Sequence, residues 1–118
     1  MDISKQQCVQ EIIAASLWWC SYVTSEPELY QHTFRMNLIN ALMERCKDHW
    51  YPENPSKGSG YRSVINDIHI DPILLMACSS SSINPGRLPG KCVQIISPGI
   101  VRIRSLINEN QEQIIFQK

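Results

Sequence analysis

The first half of the chain has the apolar spacing of amphipathic helices. Between residues 4 and 23, apolar side chains recur every three to four positions, which predicts one helix with a single buried face. Trp18 and Trp19 are adjacent in this helix and diverge by about 100°, so they cannot both lie at the centre of the buried face. We therefore expect one of the two indoles to be partly exposed.

A second amphipathic helix follows the short segment TSEPEL. Ser25 has the side chain of a good N-cap, and the helix is predicted to run from there to about Lys47. The residues expected on its buried face are Tyr30, Phe34, Leu38, Leu42 and Cys46. Two such helices joined by a short turn predict an antiparallel helix hairpin.

The second half of the chain consists mainly of short β-branched segments separated by turn residues. One further helix is expected after Asp71, which would cap it with Pro72 at the first helical position. Strands are predicted in YRSVIN, KCVQIIS, IVRIRSLI and EQIIFQ. This order predicts a single α+β domain, with the helix hairpin and the third helix packed on a small antiparallel sheet. Its three segments within residues 1–118 are a helical part at 1–50, a corner at 49–62 and a strand-rich part at 61–118.

Composition and charge are those of an ordinary globular domain. Apolar residues make up 43% and charged residues 19% of the 118 residues, unlike the composition of disordered proteins. The formal net charge is zero, which gives no bulk electrostatic reason to expect nucleic acid. Residues 1–53 carry four basic and seven acidic side chains, whereas residues 54–118 carry seven and four. Ordinary surface variation explains a difference of this size, but a polyanion would be attracted to the second segment first.

The cysteines predict a reducing compartment. They are five in number and lie within apolar segments, which favours mostly buried thiols outside disulfides. We therefore expect a cytoplasmic protein, with the nucleus as a second location. Glu11 lies near the start of the apolar N-terminal run, and no basic segment or cleavage site frames that run. Neither a signal peptide nor a membrane span is predicted.

Residues suited to catalysis or metal binding do not form a recognisable pattern. The segment KGSG lacks the spacing of a phosphate-binding loop, so Lys57 is interpreted as a surface lysine. Cys46 and His49 have ligand-like spacing, but structural zinc needs four ligands, and His69 and Cys78 do not form a matching pair. A Cys/His nucleophilic pair assembled by the fold stays open, although nothing marks a cysteine as activated. The sequence predicts no enzyme, no cofactor and no metal.

The corner HWYPENPSKGSGYR, residues 49–62, joins the second helix to the strand predicted to start at Tyr61. Its prolines end the helix, and its glycines are expected to turn the chain with backbone angles that other residues resist. Trp50 is predicted to fill the core at this bend, whereas Tyr51 and Tyr61 are candidate interface aromatics. The structural residues of the corner are Trp50, Pro52, Pro55, Gly58 and Gly60.

The strand IVRIRS alternates between apolar and basic residues. This alternation places the apolar side chains on one face and Arg102 and Arg104 on the other. The simplest interpretation is a half-buried strand with a solvated face. The alternative is a basic stripe, extended by Lys91 or Arg87, that contacts RNA phosphates. No aromatic residue is interleaved, so base stacking is not indicated.

The corner resembles the first signature box of the BTG/Tob antiproliferative family. HWYPENPSKGSGYR matches the family pattern HWYPE-x-P-x-KGSG-[YF]-R almost residue for residue, which is a long and specific motif. QEIIAASLWW resembles the family's first helix, and DPILLMA resembles its DP helix. The resemblance covers nearly the whole chain and is closest over the helices and the corner. It indicates a divergent member, of an invertebrate branch such as the nematode germ-cell-fate type.

The resemblance implies helices around a small antiparallel sheet and no enzymatic activity. Family members are adaptors that bind the nuclease subunit of the Ccr–Not deadenylase complex, bring it to messenger RNAs, and restrain translation and proliferation. Their docking surface joins the aromatic residue of the first box, here Tyr61, to a tryptophan and an aspartate of the second box. Members usually continue into disordered tails with further partner motifs, so we expect a domain taken from a longer protein.

The second box departs from the family pattern LP-x-x-[LM]-[ST]-[LI]-W-[VI]-D-P-[FY]-E-V. When its proline is aligned with Pro98, the tryptophan falls on Ile95 and the aspartate on Ser97. Loss of a central interface tryptophan commonly costs about 2 kcal/mol, or roughly thirtyfold in affinity. Docking of the nuclease subunit through the usual surface is therefore not assured by the resemblance.

Three hypotheses follow from this departure. The first is a deadenylase adaptor whose surface is centred on Tyr61, Ile95 and Ser97. The second is a cell-fate regulator that self-associates through exposed apolar side chains at Ile95 and Ile100, contacts RNA through the basic stripe, or does both; an apolar patch on a near-neutral domain favours association. The third is a regulatory scaffold for some other protein.

Overall fold

Two long helices precede a short helical turn, a third helix and a four-stranded sheet in the computed structural model, which describes residues 3–108 and 110–118. Side chains are described from Gln7 onward. The helices are α1 Ile3–Cys20, α2 Glu28–Cys46, α3 Ser59–Arg62 and α4 Pro72–Ser80, with one 3₁₀ turn at Pro85–Arg87. The strands are β1 Val64–Asn66, β2 Cys92–Ser97, β3 Ile100–Ser105 and β4 Glu112–Gln117. They form an antiparallel sheet in the order β1-β2-β3-β4, so the α+β fold is confirmed.

Helix α1 supplies one wall of the core. Its fully buried apolar residues recur at the predicted spacing and are Cys8, Ile12, Ala15 and Trp19. Trp18 is only half-buried and contacts the Trp19 ring edge-on at 4.7 Å, as the divergence of adjacent indoles predicts. The helix ends at Cys20, and the chain continues in turns to the buried Val23. The predicted helix was therefore three residues too long at its end.

Helix α2 begins three residues later than the predicted cap. The N-cap position is Pro27, with no side-chain capping bond, so the prediction of Ser25 as N-cap is wrong. The fixed φ of proline, −54° here, leads directly into the first helical residue. The side chain of Gln31 holds the preceding segment by donating to the carbonyls of Thr24 at 3.1 Å and Glu26 at 2.6 Å. Phe34, Leu38, Leu42 and Cys46 form the predicted buried face, whereas Tyr30 is 38% exposed.

The corner turns into a helix rather than a strand. Gly58 has a φ of 76°, as predicted for a turning glycine, and its carbonyl accepts from Tyr61 N at 3.0 Å. This bond closes α3, so the prediction of a strand starting at Tyr61 is wrong, and β1 begins only at Val64. Gly60 lies inside α3 without a positive φ, which corrects its predicted role as a second turning glycine.

Helix α4 has the predicted cap. The carboxylate of Asp71 accepts from Ile73 N at 3.1 Å, and Pro72 is the first helical residue. The same carboxylate forms a bidentate salt bridge with Arg45 of α2: Nη2 donates to Oδ1 at 2.8 Å and Nη1 donates to Oδ2 at 2.9 Å. Asp71 therefore ties the start of α4 to the end of α2.

The two faces of the sheet differ. The inner face lies against α1: Gln94 donates to the carbonyl of Ala15 at 3.0 Å and accepts from the Trp19 indole at 2.8 Å. The opposite face, here called the outer sheet face, includes Ile65, Val93, Ile95, Ser97, Ile100, Arg102, Arg104, Glu112 and Ile114. The predicted alternation in IVRIRS is confirmed, because the apolar side chains of this strand that point inward are buried while both arginines point outward.

Ile95 does not form an exposed patch. It is 8% exposed, so its predicted exposure at an association surface is wrong. The physical reason is its place on β2, an inner strand of the sheet, directly opposite Arg102. Side chains of the flanking strands, including the long aliphatic stem of an arginine, cover such a position. Ile100, at the start of β3, is intermediate in exposure.

Candidate docking surface

Arg62 holds the corner together from its centre. The side chain is completely buried, and burial lowers the pKa of its guanidinium. It donates to four backbone carbonyls, those of Ile96 at 2.7 Å, Lys57 at 2.6 Å, Pro55 at 2.7 Å and His49. The guanidinium carbon also lies 5.6 Å from the centre of the Trp50 ring. One cation thus replaces the water that these carbonyls would otherwise bind, and it attaches the corner to β2.

Tyr61 projects from this rigid base. Its side chain is 65% exposed, and its ring stacks on that of His49 with the centroids 4.0 Å apart and the planes 3° from parallel. Because Arg62 is the next residue in α3, the backbone of Tyr61 is fixed while the phenol stays available. His49 was not predicted as a positioning residue, and its place within the signature box was the only available signal.

Tyr61 lies beside the end of β2. Helix α3 contacts β2, and the Arg62 bond to the Ile96 carbonyl falls between Ile95 and Ser97 along the strand. The structure therefore brings together the segments that carry the three residues predicted for the docking surface. Ile95 is 8% and Ser97 4% exposed, so Tyr61 is the one of the three with a large exposed side chain.

Tyr51 and the glycines form the remaining part of the corner. Tyr51 is half-buried, and Lys57 Nζ lies 4.5 Å from the centre of its ring. A shallow pocket of about 350 Å³ lies between residues 56 and 61 and is bounded by the Tyr61 ring. Trp50 is 7% exposed and belongs to the core, as predicted for a residue that fills the bend.

The basic stripe on the outer sheet face contains an acidic residue. Glu112 Oε1 accepts from Arg104 Nη2 at 3.2 Å and from Arg102 Nη1 at 3.5 Å. The backbone of Lys91 is close by, since its carbonyl accepts from Leu106 N at 2.8 Å. Arg87 instead pairs with Glu26 at 3.2 Å, before α2. The sequence pattern did not reveal Glu112, because cross-strand partners depend on register.

The cysteine thiols have the environment of structural residues. Burial raises the pKa of Cys46 to about 12 and that of Cys78 to about 11, and it also raises the pKa of Cys20 and Cys92. A raised pKa leaves little of the nucleophilic thiolate at neutral pH.

No cluster of three metal-ligating side chains occurs within residues 3–108 and 110–118. The same described residues include no helix with the length and apolarity needed to cross a membrane.

Helices against one face of a four-stranded antiparallel sheet are also the architecture of a known domain class. A variant of the BTG/Tob domain of Caenorhabditis elegans FOG-3 superposes with a TM-score of 0.84, covering 93% of this chain and 90% of that one. The sequence identity is 19%, so this likeness concerns the fold alone. The family model described as BTG family matches residues 8–116. The chain therefore belongs to the BTG family.

Several curated relatives share part of the sequence. A BTG family protein of Dictyostelium discoideum is 36% identical over 77 residues, which cover 62% of this chain and 18% of that protein. Mouse BTG3 is 37% identical over 78 residues, covering 62% and 31%. Human BTG1 is 44% identical over 52 residues, covering 44% and 29%. The chain thus spans less than a third of the length of each of these relatives.

Proposed function

We propose that this domain is a non-enzymatic antiproliferative adaptor in messenger RNA regulation, and that it docks the nuclease subunit of a Ccr–Not deadenylase. The observation that carries the proposal is the presentation of Tyr61. An exposed aromatic ring on a rigid base has the form of an interface anchor, because little side-chain entropy remains to be lost on binding. Membership of the BTG family supports the same assignment.

The docking surface includes the end of β2, where the departure from the family pattern is greatest. Ile95 and Ser97 are both nearly covered in the free domain. They offer a partner little side-chain area, so Tyr61 supplies most of the contact. We expect an affinity lower than that of a domain with a tryptophan at this position.

Calorimetric titration with a purified deadenylase nuclease subunit tests the proposal. Tyr61→Ala should weaken binding by roughly thirtyfold, as for a hot-spot residue, without changing the circular dichroism spectrum. Tyr30→Ala is the matched control, because Tyr30 is 38% exposed on α2 rather than at the corner. The double variant Ile95→Trp with Ser97→Asp should bind more tightly than the parent. Equal binding by Tyr61→Ala and the parent, or no binding by either, would contradict the proposal.

RNA contact through the outer sheet face is a second candidate. Arg102 and Arg104 pair with a single acidic residue, Glu112, so these three side chains carry a net positive charge. A net positive charge on this face favours contact with RNA phosphates. RNA affinity should then fall with salt and with the double variant Arg102→Glu, Arg104→Glu. Arg87→Glu is the control, because Arg87 pairs elsewhere. Salt-independent binding would count against this candidate.

Self-association is an additional outcome that the same samples can report. Light scattering over a hundredfold concentration range should show a constant mass if the domain is a monomeric adaptor. A mass that rises with concentration, and that falls in an Ile100→Glu variant, would instead support association through the outer sheet face. Ile95 contributes little to such a surface because it is nearly covered.

A further inference from the structure

A second concave site includes residues of the corner but none of α3. It is a pocket of about 480 Å³ between α1, the corner and the turn that joins β2 to β3. This volume lies in the usual range for pockets that take small ligands or single side chains. The lining residues that matter below are Glu11, Trp50, Gly99 and Lys118; the pocket bounded by these residues is called the Glu11 pocket.

Glu11 is buried, and only one of its two carboxylate oxygens has a hydrogen-bond partner among the described residues. The residue is 1% exposed, and its Oε2 accepts from Gly99 N at 2.8 Å. Lys118 Nζ lies 3.5 Å from the same oxygen. The other oxygen, Oε1, is buried and has no hydrogen-bond partner among the described residues. Buried polar atoms are nearly always paired, and Glu11 lines this pocket, so a donor that enters the pocket can supply the partner that its carboxylate lacks.

The chemistry of the site indicates the class of that partner. A carboxylate oxygen accepts hydrogen bonds, so the ligand must donate, and a cation gains most from a buried carboxylate. Guanidinium offers several N–H donors in a planar fork, which suits both oxygens of a carboxylate. Trp50 forms another wall of the pocket, and its indole already lies beside one guanidinium, that of Arg62. We infer that the Glu11 pocket binds the guanidinium of an arginine side chain presented by a partner protein.

Lys118 acts as a weak internal competitor for this site. Its side chain is half exposed, and its distance of 3.5 Å from Glu11 is long for a charge-assisted bond. An ammonium is a single point of charge, whereas an incoming guanidinium can bridge the two oxygens. The arginine therefore displaces Lys118 toward solvent when it binds. The Glu11 pocket and the exposed Tyr61 ring are separate sites, so arginine binding at the first does not require deadenylase docking at the second.

Nuclear magnetic resonance of the ¹⁵N-labelled protein tests the inference with N-acetyl-arginine amide as the probe. Its addition should shift the Gly99 amide and the Trp50 indole resonances. N-acetyl-citrulline amide has a similar shape without the charge, and it should bind at least about tenfold more weakly, because a charge-assisted bond is lost. Equal shifts with both probes, or no shifts with arginine, would overturn the inference.

Two variants separate the site from its structural role. Glu11→Gln should abolish the response to arginine while the spectrum stays that of a folded protein, because the glutamine oxygen can still accept from Gly99 N. Lys118→Gln leaves Glu11 intact and should tighten arginine binding several-fold, because the competing cation is gone. Unchanged or weaker binding by Lys118→Gln would contradict the competition and with it the proposed site.

Discussion

The corner and the outer sheet face hold their arginines in opposite ways. Arg62 is fully buried and is surrounded by backbone carbonyls, whereas Arg104 is exposed and shares one carboxylate with its neighbour. Backbone carbonyls cannot be replaced by mutation, so a side chain that satisfies four of them is tightly constrained. An exposed arginine on a strand has no such constraint. This difference predicts that replacing Arg62 destabilises the fold far more than replacing Arg104.

The largest expected effect comes from removing the centre of the corner. Arg62→Met should lower the free energy of unfolding by about 3 kcal/mol or more, because several buried carbonyls lose their donor. Urea denaturation followed by circular dichroism measures this change. Arg87→Met is the matched control, since it removes an exposed ion pair and should cost less than about 1 kcal/mol. Equal losses in the two variants would show that the corner does not depend on its arginine.

The pair between α2 and α4 should make stability depend on pH. Burial alone would raise the pKa of Asp71, but hydrogen bonds from Arg45, Ile73 N and Ile65 N and the charge of Arg45 outweigh it, so this pKa is lowered. A lowered pKa means stability that is present above the unfolded value of about 3.9 and is lost as the pH falls through the folded value. Asp71→Asn should therefore cost about 2 kcal/mol at pH 7 and progressively less below about pH 4.

Urea denaturation of Asp71→Asn at several pH values checks this prediction. Asparagine can still cap α4, so the loss reports the bonds to Arg45 and Ile65 N rather than the cap. Asp67→Asn is the control, because Asp67 is exposed after β1. A deficit of Asp71→Asn that stays constant from pH 7 to pH 3 would exclude the linkage.

Two glycines of the corner give a smaller, paired test. A Cβ on Gly58 would lie 3.1 Å from a Tyr51 ring carbon and 3.3 Å from the His49 carbonyl, at a φ of 76°. Gly58→Ala should therefore cost about 1–2 kcal/mol. A Cβ on Gly60 meets no atom within 4 Å, and Gly60→Ala should be neutral or slightly stabilising because the residue is helical. Thermal unfolding of both variants decides whether only the first glycine is required.

The smallest effect is expected on the outer sheet face. Arg104→Gln removes one of the two pairs with Glu112, and exposed ion pairs contribute about 0.2–1 kcal/mol; the loss should lie at the low end because Arg102 keeps its own pair. The effect should shrink further in high salt, where the pair is screened. Urea denaturation at low and high ionic strength measures both quantities. A loss comparable to that of Arg62→Met would remove the contrast between the two regions.

Local patterns in the sequence predicted most of the elements. The spacing of apolar residues predicted α1 and α2, Asp71-Pro72 predicted the start of α4, and β-branched segments predicted the last three strands. The corner was also recognisable as the family's signature box from its motif. Each of these features depends on neighbours within a few residues, which is why a single sequence contains the necessary information.

The tertiary structure decided the features that depend on residues far apart in the chain. The cover over Ile95 comes from neighbouring strands, the donors to the Asp71 carboxylate come partly from α2, and the unpaired oxygen of Glu11 lies beside the turn at Gly99. The turn of helix that contains Tyr61 also ends at Arg62, whose side chain bonds to the carbonyl of the distant Ile96. Periodicity indicates which side of an element is buried, but the partner that buries it, or leaves one atom unpaired, is set only when distant segments meet.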